Sequence, residues 1–124
     1  MALPVEKFVL RQGRVPLLVS MPHVGEHIPA DLAATMLPPA LRLPDTDWHL
    51  DRLYDFLDTL GVSALVATHS RYVIDLNRPL DDRNLYPGQD TTGILPIDTF
   101  SKEPLYQAGL VPGDCERERR GALY

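Results

Sequence analysis

The chain has 124 residues, 44% of them apolar, with 12 Lys+Arg against 17 Asp+Glu, the composition of one ordinary globular unit. A net charge of −5 and the lack of a basic run exclude a general nucleic-acid binder, which needs a basic face to displace counterions from phosphates. No apolar stretch approaches the roughly 20 residues of a membrane-spanning helix, so no membrane partner is expected.

The first residues, Met1-Ala2-Leu3-Pro4-Val5-Glu6-Lys7, lack a basic segment leading into a long apolar one, and the chain reads as cytoplasmic. Residues 5–12 alternate imperfectly, Gly13-Arg14 interrupts them, and residues 15–21 form an apolar run of strand length. The two runs are expected to pair as a hairpin, with the second buried and central. Pro16 suits the beginning of that strand, where a missing N–H spoils no interior ladder bond. Turn chemistry follows in Pro22-His23-Val24-Gly25-Glu26-His27-Ile28-Pro29, at the strand exit that active sites of open α/β sheets favour.

A short helix is expected over residues 30–36, stopped by Pro38-Pro39, with an extended connection over 41–44. Asp45-Thr46-Asp47 then offers capping oxygens, and Leu50, Leu53, Tyr54, Leu57 and Leu60 recur at helical spacing up to the stop at Gly61. Residues 62–68 and 72–76, rich in Val and Ile, read as two strands joined tightly by His69-Ser70-Arg71. From 77 to 112 turn residues dominate, and Glu116 to Arg120 open a charged helix. Twelve prolines, about twice average usage, spread along the chain and mark a loop-rich fold. The class is α/β, in a single domain over 1–124. Cys115 stands alone, without a disulfide or zinc-knuckle partner.

Three groups of residues can carry chemistry. His23-x-x-Glu26, with His27 beside it, offers imidazole and carboxylate donors for a zinc ion that takes a third ligand from elsewhere. Its plainer reading is a hydrogen-bonded turn histidine and a solvated Glu26. Arg71 and Arg78 flank an apolar segment broken by Asp75, and with Asn77 they supply the planar donors that suit a substrate carboxylate. A structural ion pair from Asp75 to one arginine competes with that reading, and both hold together if the other arginine stays free. Asp47 and Asp51 stand four apart, with Arg42 or Arg52 available between them. Asp51 and Asp55 read as a solvated face, while Asp47 and His49 stay open. Gly88 and Gly93 bracket Thr91-Thr92 without phosphate-loop spacing, and no serine sits in a nucleophile elbow.

Pro22-His23-Val24-Gly25 through Pro29, Pro44-Asp45-Thr46-Asp47-Trp48-His49-Leu50-Asp51-Arg52-Leu53-Tyr54-Asp55-Phe56, Ser70-Arg71-Tyr72-Val73-Ile74-Asp75-Leu76-Asn77-Arg78 and Leu85-Tyr86-Pro87-Gly88-Gln89 with Thr91-Thr92-Gly93 closely resemble the N-formylglutamate deformylase (amidohydrolase) family. The resemblance runs from about residue 15 to residue 106 and implies hydrolysis of N-formyl-L-glutamate, a small anionic substrate, to glutamate and formate in histidine degradation. It implies a mixed central sheet flanked by helices, similar to zinc carboxypeptidases (phosphorylase/hydrolase-like). It also implies a divalent metal, zinc, with His23 as ligand and Glu26 or Asp47 as carboxylate ligand or supporting partner. Arg71, Asn77 and Arg78 would hold the two substrate carboxylates, and an arginine could steady the oxyanion.

Family members are about twice as long. Their later half holds an Asp-Ala-His-Ser-like segment that the resemblance makes a further metal-ligand source, along with the usual position of the general base. The expectation is therefore an N-terminal part of a longer amidohydrolase domain, incomplete as an enzyme and with apolar surface left uncovered. Two other readings stand beside it: a non-catalytic fragment with a carboxylate-binding surface, and a related zinc amidase or peptidase acting on another N-acyl amino acid.

Overall fold

The structure, a computed structural model, describes residues 4–124; the reading of the chain start falls partly on residues 1–3, outside that range. Three short strands form one mixed sheet: β1 (Phe8–Arg11), β2 (Leu18–Met21) and β3 (Ser63–Ala67). Their order is β1-β3-β2, with β3 antiparallel to β1 and parallel to β2. The expected hairpin is thus absent, and β2 lies at an edge instead of the centre. The reason is local. A Cβ on Gly13 would stand 2.2 Å from the Gly61 carbonyl oxygen, so the chain turns tightly past Gly61 at this point. Arg14 and Val15 donate their N–H groups to that same oxygen, and β3 is fed between β1 and β2.

Cross-strand partners share a face, so the register places Val19, Ala64, Met21 and Val66 together. Met21 and Ala64 form a core with Leu57 and Val62, against which Val19, Val66 and Leu50 pack. The other face carries Phe8, Leu10 and Leu18, each more than half exposed.

The helices are short. α1 (Ala30–Ala33) covers part of its expected span, and α2 (Pro38–Leu41) begins at the prolines expected to stop a helix. Proline fits the first turn of a helix, where its missing N–H has no intrahelical role. The leucine-spaced segment divides into α3 (Leu50–Leu53) and α4 (Leu57–Leu60). His49, in the left-handed region at φ 59°, precedes α3, so neither Asp45 nor Asp47 caps it. Gly61 ends α4 at φ 70°, a conformation glycine adopts without strain. α5 (Asp114–Gly121) is the expected charged helix.

Residues 72–76 are not a strand. Tyr72, Val73 and Ile74 are buried in irregular backbone: the Tyr72 N–H bonds the Ser70 hydroxyl, and the Asp75 N–H bonds the Ile94 carbonyl. Tyr72 joins Met36, Ala40, Leu43, Leu105 and Tyr106 in a second core. The Val and Ile enrichment there reports burial, which strand and buried loop share. Arg120 ties α5 to this segment, donating to the Tyr106 hydroxyl at 2.8 Å and to the Val73 carbonyl. Glu116, paired with Arg119 and then Arg120, has its carboxyl lowered to about 2 against the counter-effect of burial. The stabilisation these pairs give within α5 is present above the ordinary carboxyl value and lost as pH falls through about 2.

Candidate functional site

β2 ends at Met21, and the turn after it presents His23; the chain after β3 brings up residues 68–78 beside that turn. The two segments are joined by backbone. The His27 N–H bonds the Thr68 carbonyl, and the Ser70 N–H bonds the His27 carbonyl. Gly25 makes the join possible, since a Cβ there would lie 2.2 Å from the His69 carbonyl oxygen. Gly25→Ala is expected to cost about 3 kcal/mol, at the upper end for overpacking, with the loss read by chemical denaturation.

At the centre is Asp75, fully buried. Its Oδ1 lies 2.6 Å from His23 Nε2 and accepts the Asn77 N–H at 2.9 Å, while Oδ2 accepts from Arg71 at 2.9 Å. Burial works to raise the Asp75 carboxyl, but the His23 hydrogen bond, the Asn77 N–H and the charges of His23 and Arg71 outweigh it, and the net direction is downward. An ionised Asp75 can only accept, so His23 donates from Nε2, which leaves Nδ1 as the nitrogen that could bind a metal. That nitrogen faces Asp47 Oδ2 at 3.9 Å, and the Asp47 N–H bonds the His23 carbonyl at 2.9 Å.

Zinc holds nitrogen and carboxylate oxygen at about 2.1 Å, so two donors on a tetrahedral ion stand roughly 3.4 Å apart. The gap from His23 Nδ1 to Asp47 is close to that spacing, and Asp75 on Nε2 supplies the carboxylate support that ligating histidines use. The donor types and their separation are compatible with two ligands of one zinc ion. Among the described residues, no three His, Cys, Asp or Glu side chains converge on one point. Glu26 is exposed and stands outside the Asp75 network. His49 is exposed beside Trp48, and His69 packs edge-on against His27 with ring centroids 4.8 Å apart. Burial first, then the charges of His27 and Lys7, hold the His69 imidazole below its ordinary range.

The three substrate-clamp residues take different positions. Arg71 is only 6% exposed: it is paired with Asp75, donates to the Asp45 carbonyl at 3.4 Å and lies 4.7 Å from the centre of the Phe100 ring. Arg78 is the more open cation, fixed by Nε to the Thr92 carbonyl and by a second nitrogen to the Asn77 carbonyl. It lines a hollow of about 200 Å³ with Asn84, Leu85, Tyr86, Thr91 and Thr92 among its neighbours. Asn77 is exposed and uses its backbone N–H to hold Asp75. Two elements were missed in the sequence: the 52-residue link from Asp75 to His23, and Thr92 as the anchor of Arg78. The first has no local signal; the second lay inside the Thr91-Thr92-Gly93 motif.

Residues 15–124 match the family model described as N-formylglutamate amidohydrolase. The chain belongs to this family. It is 51% identical over 108 residues to an N-formylglutamate deformylase of Pseudomonas putida, covering 87% of the chain and 40% of that relative. A deformylase of the same name from Pseudomonas aeruginosa is 49% identical over 114 residues, covering 92% of the chain and 42% of the relative. The crystal structure of an N-formylglutamate amidohydrolase from Ralstonia eutropha JMP134 superposes with a TM-score of 0.75 at 30% identity, covering 97% of this chain and 46% of that one. The chain thus spans less than half the length of these relatives. Its mixed α/β architecture is that of a family member, and among the described residues no helix is long and apolar enough to cross a membrane.

Proposed function

We propose that this chain forms the His23 side of an enzyme that hydrolyses N-formyl-L-glutamate to L-glutamate and formate in the cytoplasm, on a zinc-carboxypeptidase-like scaffold. The observation that carries the reading is the line Arg71–Asp75–His23, with Asp47 across from the open imidazole nitrogen, in a chain about half identical to named deformylases. His23 Nδ1 and an Asp47 oxygen would hold zinc, Asp47 being favoured over Glu26 as the carboxylate because it faces His23 Nδ1 while Glu26 is exposed. Bound there, zinc would supply Lewis acidity toward the formyl carbonyl.

The chain's own residues do the positioning. Asp75 fixes the His23 ring, and the His23 hydrogen bond, the Asn77 N–H and the Arg71 charge together hold the buried carboxylate ionised and in place. Arg78 and Asn77, on the loop leaving Asp75, present donors to the substrate carboxylates; Arg71, buried against Asp75, serves the site by holding that carboxylate in place. The remaining ligand and the general base come from outside this set, within the region where the relatives are longer. That division favours the incomplete-domain reading, in which the 1–124 unit binds and orients and a complementary segment completes the chemistry.

In a protein of the relatives' full length, release of formate from N-formyl-L-glutamate is the test, with acetylated amino acids as the comparison. Arg78→Ala is expected to raise KM about tenfold to a hundredfold, the loss of a charge-assisted hydrogen bond of about 1.5–3 kcal/mol, with a smaller change in kcat. An unchanged KM in Arg78→Ala and Asn77→Ala alike would remove the clamp. Equal turnover of acetylated substrates would move the reading to a broader N-acyl amidase.

A further inference from the structure

The loop over residues 43–49 carries Asp47 and is held in an unfavourable backbone form at both ends. Leu43 (φ 53°) and His49 (φ 59°) both lie in the left-handed region, which side chains with a Cβ rarely adopt. Such conformations persist only where surrounding bonds over-determine them. The Thr46 N–H bonds the Leu43 carbonyl and the Asp47 N–H bonds the His23 carbonyl, and the further ties, from Tyr72, Phe100 and Arg71, meet at Asp45. Its Oδ2 accepts the Tyr72 hydroxyl at 2.7 Å and the Phe100 backbone N–H at 2.9 Å, and its carbonyl accepts from Arg71. Arg71 is also the cation that pairs with Asp75, and Asp75 holds His23 Nε2. Both sides of the His23–Asp47 gap are therefore referenced to Arg71: one through Asp75, the other through Asp45.

We propose that Asp45 is a positioning residue of the metal site: by tying Tyr72, Phe100 and Arg71 to the strained 43–49 loop, it sets the Asp47 carboxylate opposite His23 Nδ1. The inference rests on the reading of His23 and Asp47 as zinc donors. It assigns to Asp45 a task different from the helix capping that its sequence position suggested, and it gives the exposed Phe100 segment a reason to lie over Arg71.

The test is zinc affinity of a protein of the relatives' full length by competition with a chromophoric chelator, for the parent, Asp47→Ala, Asp45→Ala, Asp45→Asn and Tyr72→Phe. Asp45→Ala is expected to weaken zinc about tenfold or more, the usual effect of losing a group that orients a ligand. Asp45→Asn, which keeps an acceptor oxygen, should stay within about threefold of the parent, and Tyr72→Phe should fall between the two. If Asp45→Ala does not fold by circular dichroism, the Tyr72→Phe and Asp45→Asn pair decides. Parent-like affinity in folded Asp45→Ala, or in Tyr72→Phe where Asp45→Ala is unfolded, overturns the positioning role while leaving Asp47 as ligand. Parent-like affinity in Asp47→Ala, or no zinc binding by the parent, overturns the ligand reading itself and the inference with it.

Discussion

Asp75→Ala is expected to destabilise the fold by about 3–5 kcal/mol, a large fraction of the roughly 5–15 kcal/mol that holds a domain together. The cause is the pair it breaks. Arg71 is buried and loses its carboxylate partner, and the Asn77 N–H and His23 Nε2 lose their acceptor in the same change. Asp75→Asn should cost less, because an amide oxygen can still accept while the charge on Arg71 goes unanswered. Denaturant melts of the three proteins at neutral pH give the ranking. The same carboxylate gives a pH signature. Its folded value lies below the ordinary 3.8, so the stability it contributes is complete above that value and is lost as pH falls through the lower folded one. Parent stability should therefore drop steeply on the acid side of pH 4, and the Asp75→Asn melt should lack that portion of the drop. Equal acid limbs in both would show that Asp75 is not the group responsible.

His23→Ala is expected to abolish zinc retention and formylglutamate hydrolysis together in the full-length protein. It removes a proposed ligand outright, and no other described imidazole is placed to replace it: His27 and His69 pack against each other, and His49 is turned to the exposed side beside Trp48. The variant should still fold, since Arg71 continues to answer Asp75. Full zinc occupancy in His23→Ala, measured by atomic emission after dialysis, would place the metal elsewhere. Loss of zinc without loss of hydrolysis would separate the metal from the reaction.

The parts of the fold that were legible in the sequence are those set by neighbours along the chain. β3 is a run of Leu, Val and Ala bounded by Gly61 and a polar turn, and Gly61 takes the left-handed conformation that its position after a helix implies. The charged helix α5 is legible for the same reason. Failures occur where tertiary contacts override local pattern. Residues 15–21 have the composition of a central strand, but β3 enters between the first two strands, a choice made by the close passage of Gly13 and Gly61. Tyr72, Val73 and Ile74 have strand composition and the burial of a core, yet the backbone is irregular so that Asp75 can reach His23. The leucine spacing from Leu50 to Leu60 predicted a buried helical face correctly at Leu57, but not the break between α3 and α4.

The site divides in the same way. As candidates, His23, Asp47, Asn77 and Arg78 were marked by motifs, because the chemistry each could supply is visible in its residue type. What Asp75 and Arg71 do was not, because an ion pair and a clamp look alike until burial is known. Arg71 at 6% exposure, with Asp75 fully buried, settles the pairing and makes Arg78 the open cation.

The most direct test of the central claim, that His23 and Asp47 form two corners of a zinc site supported by Asp75, is a crystal structure of the zinc-loaded protein with anomalous scattering at the zinc edge. The account predicts a peak about 2 Å from both His23 Nδ1 and an Asp47 oxygen, with His23 Nε2 still on Asp75. A zinc bound without His23, or through His23 Nε2 with Asp75 displaced, would contradict it.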